Sequence, residues 1–183
     1  MQTILLSNEF GSIEVESLGA RLVSYVPSSE REVFARLSDG TGGMPICWPW
    51  FASDGPEGCR RHGLARYHDF MFLRRFESTC VSEVELILRS AVDMREEFGY
   101  DFQLLVRYRL TDELTISMTG ENSDTRPFSV NEMFHPYFQV GEVADCRVTG
   151  ASLFALITAR FERNSGMCCD RENGTRLLGR FGL

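Results

Sequence analysis

The strongest constraint on the fold is an alternation of apolar and polar residues with a period of two. Between Phe102 and Leu110 every even-numbered position is apolar, and residues 12–16 and 113–118 repeat the pattern. Successive side chains of a β-strand point to opposite faces, so such a segment buries one face and exposes the other to solvent. The alternation therefore predicts a chain made mostly of antiparallel β-strands.

Further segments extend this β pattern along the chain. Residues 70–76 and 81–88 read as two more strands, and turn residues recur at 28–30 and 122–124. No helical stripe is sustained; residues 153–163 fit either a helix or a strand followed by a turn. The 183 residues suffice for one domain. We expect residues 1–183 to form a single antiparallel β-sandwich domain.

Composition excludes several classes of function. The net charge of −7 argues against nucleic acid or an anionic membrane as a partner. All 19 cationic side chains are Arg, so Schiff-base chemistry on Lys is excluded, and an anionic ligand must be held by Arg or by backbone N–H groups. No stretch approaches the roughly 20 apolar residues of a membrane helix. Without a secretory signal, we expect a cytoplasmic protein with reduced thiols.

Residues 39–69 do not follow the strand pattern. A long irregular segment in a compact β domain is usually functional or disordered, and this one is too rich in aromatic and aliphatic residues to be disordered. It holds Cys59 and His62 at a spacing known from metal sites, but no second pair of ligands completes a zinc site, so no metal is expected. We predict a binding site in this segment.

Among the three histidines, His135 has the context most suited to acid–base work. It follows the strand-like segment 128–134, lies between aromatic residues and is fixed by the following Pro136. Such a side chain is oriented and partly desolvated. His62 stands before Gly63, where a backbone can approach a ligand closely. His68 lacks such a context and is expected on the surface.

Several motifs, in this order, resemble those of the aldose 1-epimerase (mutarotase) superfamily, and within it the hexose-6-phosphate 1-epimerase branch. The resemblance covers roughly residues 10–150. The motifs are GARLVSY at 19–25, GGMPICWPWF at 42–51, HGLAR at 62–66, PFS at 127–129 after Asn122, and HPYFQVG at 135–141.

This resemblance implies a galactose-mutarotase-like supersandwich, incomplete at its C-terminus, that interconverts the α and β anomers of a sugar or sugar phosphate. By motif position His135 is the acid that protonates the ring oxygen. His62 lines the pocket and donates a hydrogen bond to the sugar, and Arg66 binds substrate, plausibly its phosphate. The family needs no cofactor and no metal.

The sequence also departs from the family pattern. Thr41 stands where the sugar-phosphate branch usually has an arginine, and Arg61 stands where it commonly has glutamine, so Arg61 is a candidate to restore the positive charge. The general-base glutamate lies far downstream of the His motif in the family. The glutamates that follow His135 here are Glu142, Glu162 and Glu172.

Two consequences of the short chain stay open. A family member without its general base would be a non-catalytic carbohydrate-binding module or an inactive, shortened relative rather than an epimerase. A sandwich without its later strands would also expose sheet edges, so we expect either self-association into a homo-oligomer or a rebuilt tail that covers them.

Overall fold

The structure is a computed structural model. It describes residues 1–38 and 40–141, together with the backbone of two further strands, Met167–Cys169 and Thr175–Phe181. The undecided segment 153–163 lies outside the described residues. Within the described part of the chain, no helix has the length and apolar character needed to cross a membrane.

The described chain consists mostly of strands, and every paired strand runs antiparallel to its neighbours. The strands are β1 Thr3–Asn8, β2 Gly11–Glu16, β3 Leu22–Pro27, β4 Ile46–Cys47, β5 Met71–Glu77, β6 Ser82–Arg89, β7 Phe102–Leu110, β8 Leu114–Asn122, β9 Phe128–Val130, β10 Met133–Phe134, β11 Met167–Cys169 and β12 Thr175–Phe181. The helical elements are α1 Val92–Phe98 and the single 3₁₀ turn Ala65–Tyr67.

Two larger sheets form the two layers of the sandwich. One has the strand order β1-β2-β3, and the other has the order β12-β8-β7-β6-β5. Their buried side chains join in one hydrophobic cluster. In β7 every even-numbered residue is buried, as the sequence pattern predicted. The hydroxyl of Tyr108, in this strand, donates across the core to the carbonyl oxygen of Ala20. The predicted antiparallel β-sandwich is confirmed.

Strand β5 differs from the other long strands, because all seven of its residues are exposed. It forms one edge of the five-stranded sheet. Its large apolar side chains are about half exposed: Met71 52%, Phe72 48%, Leu73 49% and Phe76 57%. Exposed apolar edge strands favour pairing with another chain. Self-association through such an edge stays a prediction.

The sequence analysis did not predict the short helix α1, since it identified a possible helix only at residues 153–163. It is seven residues long and ends at Gly99, whose φ of 87° lies in the left-handed region. Only Met94 of its residues is buried. A single buried residue leaves no periodicity to detect.

Candidate functional site at the two imidazoles

The two-residue strand β4 brings distant parts of the chain together. On one side it pairs with β10, and the N–H of His135, directly after β10, donates to the carbonyl oxygen of Pro45 at 3.0 Å. On the other side Trp48, directly after β4, forms a parallel bridge with Gly63. His62 and His135 therefore flank the same strand from opposite sides.

The segment around Gly63 folds against Trp48 because Gly63 has no side chain. Its φ is 78°, and a Cβ built there would lie 2.1 Å from the carbonyl oxygen of Trp48. The indole of Trp48 is fully buried, with its ring centroid 4.3 Å from that of Phe102 on β7. The irregular segment 39–69 is thus anchored to the core of the sandwich, which fixes the position of His62.

The rings of His62 and His135 face each other edge to face. Their centroids are 5.6 Å apart and their planes meet at 81°. Phe51 lies against both, with its centroid 5.1 Å from that of His62 and 5.9 Å from that of His135. The ring of Tyr137 packs against that of His135, with the two centroids 5.0 Å apart. Two imidazoles with an aromatic lining form a half-buried site.

The backbone of Ala52 fixes the proton position on His62. Ala52 N–H donates to His62 Nδ1 at 3.2 Å, and His62 N–H donates to the Ala52 carbonyl oxygen at 2.8 Å. Because Nδ1 accepts, the ring proton resides on Nε2. Burial, and then the positive charge of Arg66, lower the pKa of His62 to about 4. His62 is therefore a neutral donor through Nε2 at neutral pH.

Unlike in His62, no hydrogen bond from the described residues fixes the position of the proton on the His135 ring. Its Nδ1 is buried and has no hydrogen-bond partner among the residues that the structure describes. Burial lowers the pKa of His135, and the charge of Arg66 acts in the same direction. An imidazole in such surroundings releases its proton readily, as an acid catalyst must.

Arg66 supplies the positive charge next to both rings. It lies in the 3₁₀ turn, and Gly19 packs against its backbone so closely that a Cβ on Gly19 would lie 2.9 Å from the Arg66 Cα. Among the described residues no carboxylate lies within ion-pair distance of its guanidinium. It also lines a cleft of about 600 Å³, which Pro45 borders and which neither imidazole lines.

Arg61, the fourth residue predicted for the site, is placed differently. Its side chain is exposed and does not line the cleft, although its charge contributes to lowering the pKa of His62. Its carbonyl oxygen accepts a hydrogen bond from the Tyr67 hydroxyl at 3.2 Å. The structure therefore groups His62, His135 and Arg66, and leaves the Arg61 side chain at the surface.

Three further results bear on the chemistry of the site. The expectation that His68 lies on the surface is wrong: its Nε2 is buried, and its Nδ1 lies 3.8 Å from a carboxylate oxygen of Asp93 on α1. Within the described residues no three potential metal ligands cluster. The candidate bases Glu142, Glu162 and Glu172 lie outside the described residues.

Sequence reasoning missed the parts played by Phe51 and Ala52. Phe51 lies within the motif at residues 42–51, and that motif could have indicated that Phe51 lies near the site. Ala52 acts only through its backbone, and no side-chain signal marks such a residue. Its φ of 51° is a property of the folded chain alone.

Comparison with known proteins identifies the family. The family model described as aldose 1-epimerase matches residues 2–165. The chain belongs to this family. Two curated relatives, from Salmonella typhimurium and Escherichia coli, both named "Putative glucose-6-phosphate 1-epimerase", are 33% and 31% identical over 143 residues, which is 72% of this chain and 46% of each relative.

Solved structures of the aldose 1-epimerase family's fold agree with the sandwich described above. A galactose mutarotase-like protein from Lactobacillus casei is 25% identical, with a TM-score of 0.68 over 79% of this chain and 52% of its own. The Salmonella typhimurium mutarotase YeaD, described as putative in its structure, is 26% identical, with a TM-score of 0.69 over 78% and 50%. The fold is galactose-mutarotase-like, and the chain spans about half the length of these relatives.

Proposed function

We propose that this chain interconverts the α and β anomers of a hexose or a hexose 6-phosphate, as a carbohydrate 1-epimerase. The observation that carries the proposal is the pair of imidazoles, 5.6 Å apart, of which one has its proton held by the backbone and the other does not. Membership of the aldose 1-epimerase family supports the reaction type. The names of the two bacterial relatives support a phosphorylated sugar.

In the proposed reaction His135 donates a proton to the ring oxygen while a base accepts the proton of the C1 hydroxyl. The bond between C1 and the ring oxygen breaks and leaves an open-chain aldehyde with a free C5 hydroxyl. Rotation about the C1–C2 bond presents the other face of the carbonyl, and the C5 hydroxyl adds back. Both protons return, so no redox partner is needed.

The two histidines have separate roles in this scheme. The lowered pKa makes the His135 imidazolium a stronger acid than an exposed histidine, although less of it is protonated at neutral pH. The neutral His62 donates from Nε2 to a sugar oxygen and keeps that role over a wide pH range. Arg66 binds substrate beside them, and Arg61 contributes charge from the surface. The base is a carboxylate, for which the glutamates after His135 are candidates.

NMR exchange spectroscopy on glucose 6-phosphate tests the proposal directly. We expect the protein to accelerate exchange between the two anomers, and His135→Ala to abolish the acceleration. His68→Ala is the matched control, because it removes an imidazole that makes no ring contact with the pair. Full acceleration by His135→Ala would refute the assignment of His135 as the acid.

A second candidate is a sugar-binding protein without catalysis. The grouping of His62, His135 and Arg66 supports it, because these side chains can form hydrogen bonds to a sugar whether or not a general base accompanies them. Saturable binding of glucose 6-phosphate with no accelerated exchange would support this candidate and contradict the enzyme.

A further inference from the structure

The short segment 59–62, which ends at His62, is tied to the last turn of helix α1. The thiol of Cys59 donates to the Glu97 carbonyl oxygen at 3.5 Å, and the backbone N–H of Arg60 donates to Glu97 Oε1 at 3.2 Å. The guanidinium of Arg60 donates to the same carboxylate, with its Nε 3.0 Å from Oε2. The backbone and the side chain of Arg60 therefore converge on one acidic group.

Glu97 is a shielded and ionised partner for Arg60. Its side chain is only 17% exposed. Burial raises the pKa of Glu97, but the hydrogen bonds from Arg60 outweigh this effect and keep the pKa below its ordinary value. The carboxylate is therefore charged at neutral pH, and hydrogen bonds to a charged group are roughly twice as strong as neutral ones.

The other end of the Arg60 backbone is held by the core. Trp50 Nε1 donates to the Arg60 carbonyl oxygen at 2.8 Å, and the Trp50 side chain is buried. Phe98, directly after Glu97, packs against the same indole, with the ring centroids 6.0 Å apart. The N–H of Arg60 is thus fixed by α1 and its carbonyl group by the core, two residues before His62.

Tyr67 holds the residue between Arg60 and His62. Its hydroxyl donates to the carbonyl oxygen of Arg61 at 3.2 Å. The central guanidinium carbon of Arg60 lies 5.0 Å from the centroid of the Tyr67 ring, which is a cation–π contact. The guanidinium that Glu97 orients therefore also braces the ring that holds Arg61.

The backbone of His62 needs such support. Its φ of 68° lies in the left-handed region, which is disfavoured for residues other than glycine and persists only where the surrounding contacts impose it. The hydrogen bonds between His62 and Ala52 depend on this conformation.

We propose that Glu97 is a positioning residue for His62: through Arg60 it holds the segment 59–62 in the conformation in which His62 Nδ1 accepts from Ala52 and the ring proton stays on Nε2. The effect on the imidazole of His62 rests on these contacts alone, whereas its consequence for catalysis rests on the proposed function.

NMR titration of the histidine C2 protons tests the positioning without any sugar. Glu97→Ala should raise the pKa of His62 from about 4 toward the ordinary 6.5, because burial is the main cause of the lowering and a loosened segment admits water. The direct effect of removing a negative charge would lower the pKa of an imidazole, so a rise reports a change of position. The pKa of His135, whose backbone is anchored to Pro45, should change less.

Glu96→Ala is the matched control, because it removes the same charge from the neighbouring, exposed position of α1. It should leave the pKa of His62 unchanged. Glu97→Gln is the conservative variant: it keeps an acceptor for the Arg60 N–H, so it should fold readily and raise the pKa less than Glu97→Ala. An unchanged pKa of His62 in both Glu97 variants would overturn the proposal, as would an equal rise in Glu96→Ala or an equal rise at His135.

A double-variant experiment tests whether Glu97 acts through His62. Glu97→Ala should slow anomer exchange on glucose 6-phosphate about two- to tenfold, the value of one neutral hydrogen bond. In the His62→Asn background the same substitution should cause no further loss, because the group that it positions is already absent. The full loss in that background would overturn the positioning role.

Failure of this proposal and failure of the proposed function are distinguishable. A selective rise of the His62 pKa in Glu97→Ala, in a protein that accelerates no anomer exchange, would support the positioning and contradict the epimerase. Accelerated exchange that Glu97→Ala leaves unaltered, together with an unchanged pKa of His62, would contradict the positioning and leave the epimerase in place.

Discussion

His62 and His135 lie 5.6 Å apart between ring centroids, yet the fold holds them in different ways. His62 has a left-handed backbone, with a φ of 68°, and both its N–H and its Nδ1 are bonded to Ala52. The backbone of His135 is anchored to Pro45, while its ring is bounded by Phe51 and other aromatic groups. This difference in anchoring is consistent with the proposed roles, in which His62 is a fixed hydrogen-bond donor and His135 gains and loses a proton.

The largest contrast is expected in catalysis. His135→Asn should lower the rate of anomer exchange by about 10²–10⁴-fold, since a general acid is lost. His62→Asn should lower it only about tenfold, because one neutral hydrogen bond changes and asparagine tolerates the left-handed backbone. Exchange spectroscopy on the two variants measures both effects. Similar losses in both would contradict the division of roles.

The anchoring of His62 can be broken without touching His62. Gly63→Ala should reduce the free energy of unfolding by about 3 kcal/mol, through a positive φ and the approach to the Trp48 carbonyl oxygen. Gly58→Ala is the matched control: Gly58 has a φ of 81°, but no atom lies within 4 Å of a built Cβ, so only the strain of about 1 kcal/mol applies. Urea unfolding distinguishes them, and equal losses would show that the contact with Trp48 is unimportant.

The lowered pKa of His62 also predicts how stability depends on pH. Between an ordinary pKa near 6.5 and its folded value of about 4, His62 is protonated in the unfolded chain and neutral in the folded one. The unfolded state then binds more protons, so the free energy of unfolding decreases as the pH falls through this range. His135 contributes in the same direction. His62→Asn should make the decrease shallower in urea titrations at several pH values; an unchanged slope would contradict the assignment.

The smallest effect is expected from removing the positive charge of Arg66, which acts on both imidazoles. Arg66→Met should raise the pKa of both imidazoles without restoring the ordinary value, because burial remains the main cause of the lowering. NMR titration of the histidine C2 protons measures each pKa separately. An unchanged pKa at both imidazoles would contradict the influence of Arg66.

Regular strands could be predicted from the sequence, whereas short elements could not. The alternation in β7 identified both the strand and its buried face, because nine residues display a period of two. The helix α1 covers His68 with Asp93, and neither its two turns nor the resulting burial of His68 leaves a periodic signal. The full exposure of β5 depends on which neighbours an edge strand has, which its own residues do not encode.

The site residues, unlike the strands, were not predicted from periodicity. His62, His135, Arg66 and Arg61 were singled out by motif position and by their neighbours in the chain. Their arrangement in space depends on β4, and a strand of two residues has no period to read. The cleft beside Arg66 escaped prediction for a related reason: its lining residues come from distant parts of the sequence, and their common surface exists only after the chain has folded.

The ladder between β4 and β10 consists of two residue pairs, Met133 with Cys47 and Phe134 with Ile46. Side chains alternate along an extended chain, so a shift of β10 by one residue would turn the imidazole of His135 to the opposite face of the strand, away from His62. An insertion of one amino acid just before Met133 would accordingly spare the sandwich and still separate the two imidazoles. The geometry of the candidate site therefore depends on the number of residues before β10, because backbone pairing fixes the position of His135.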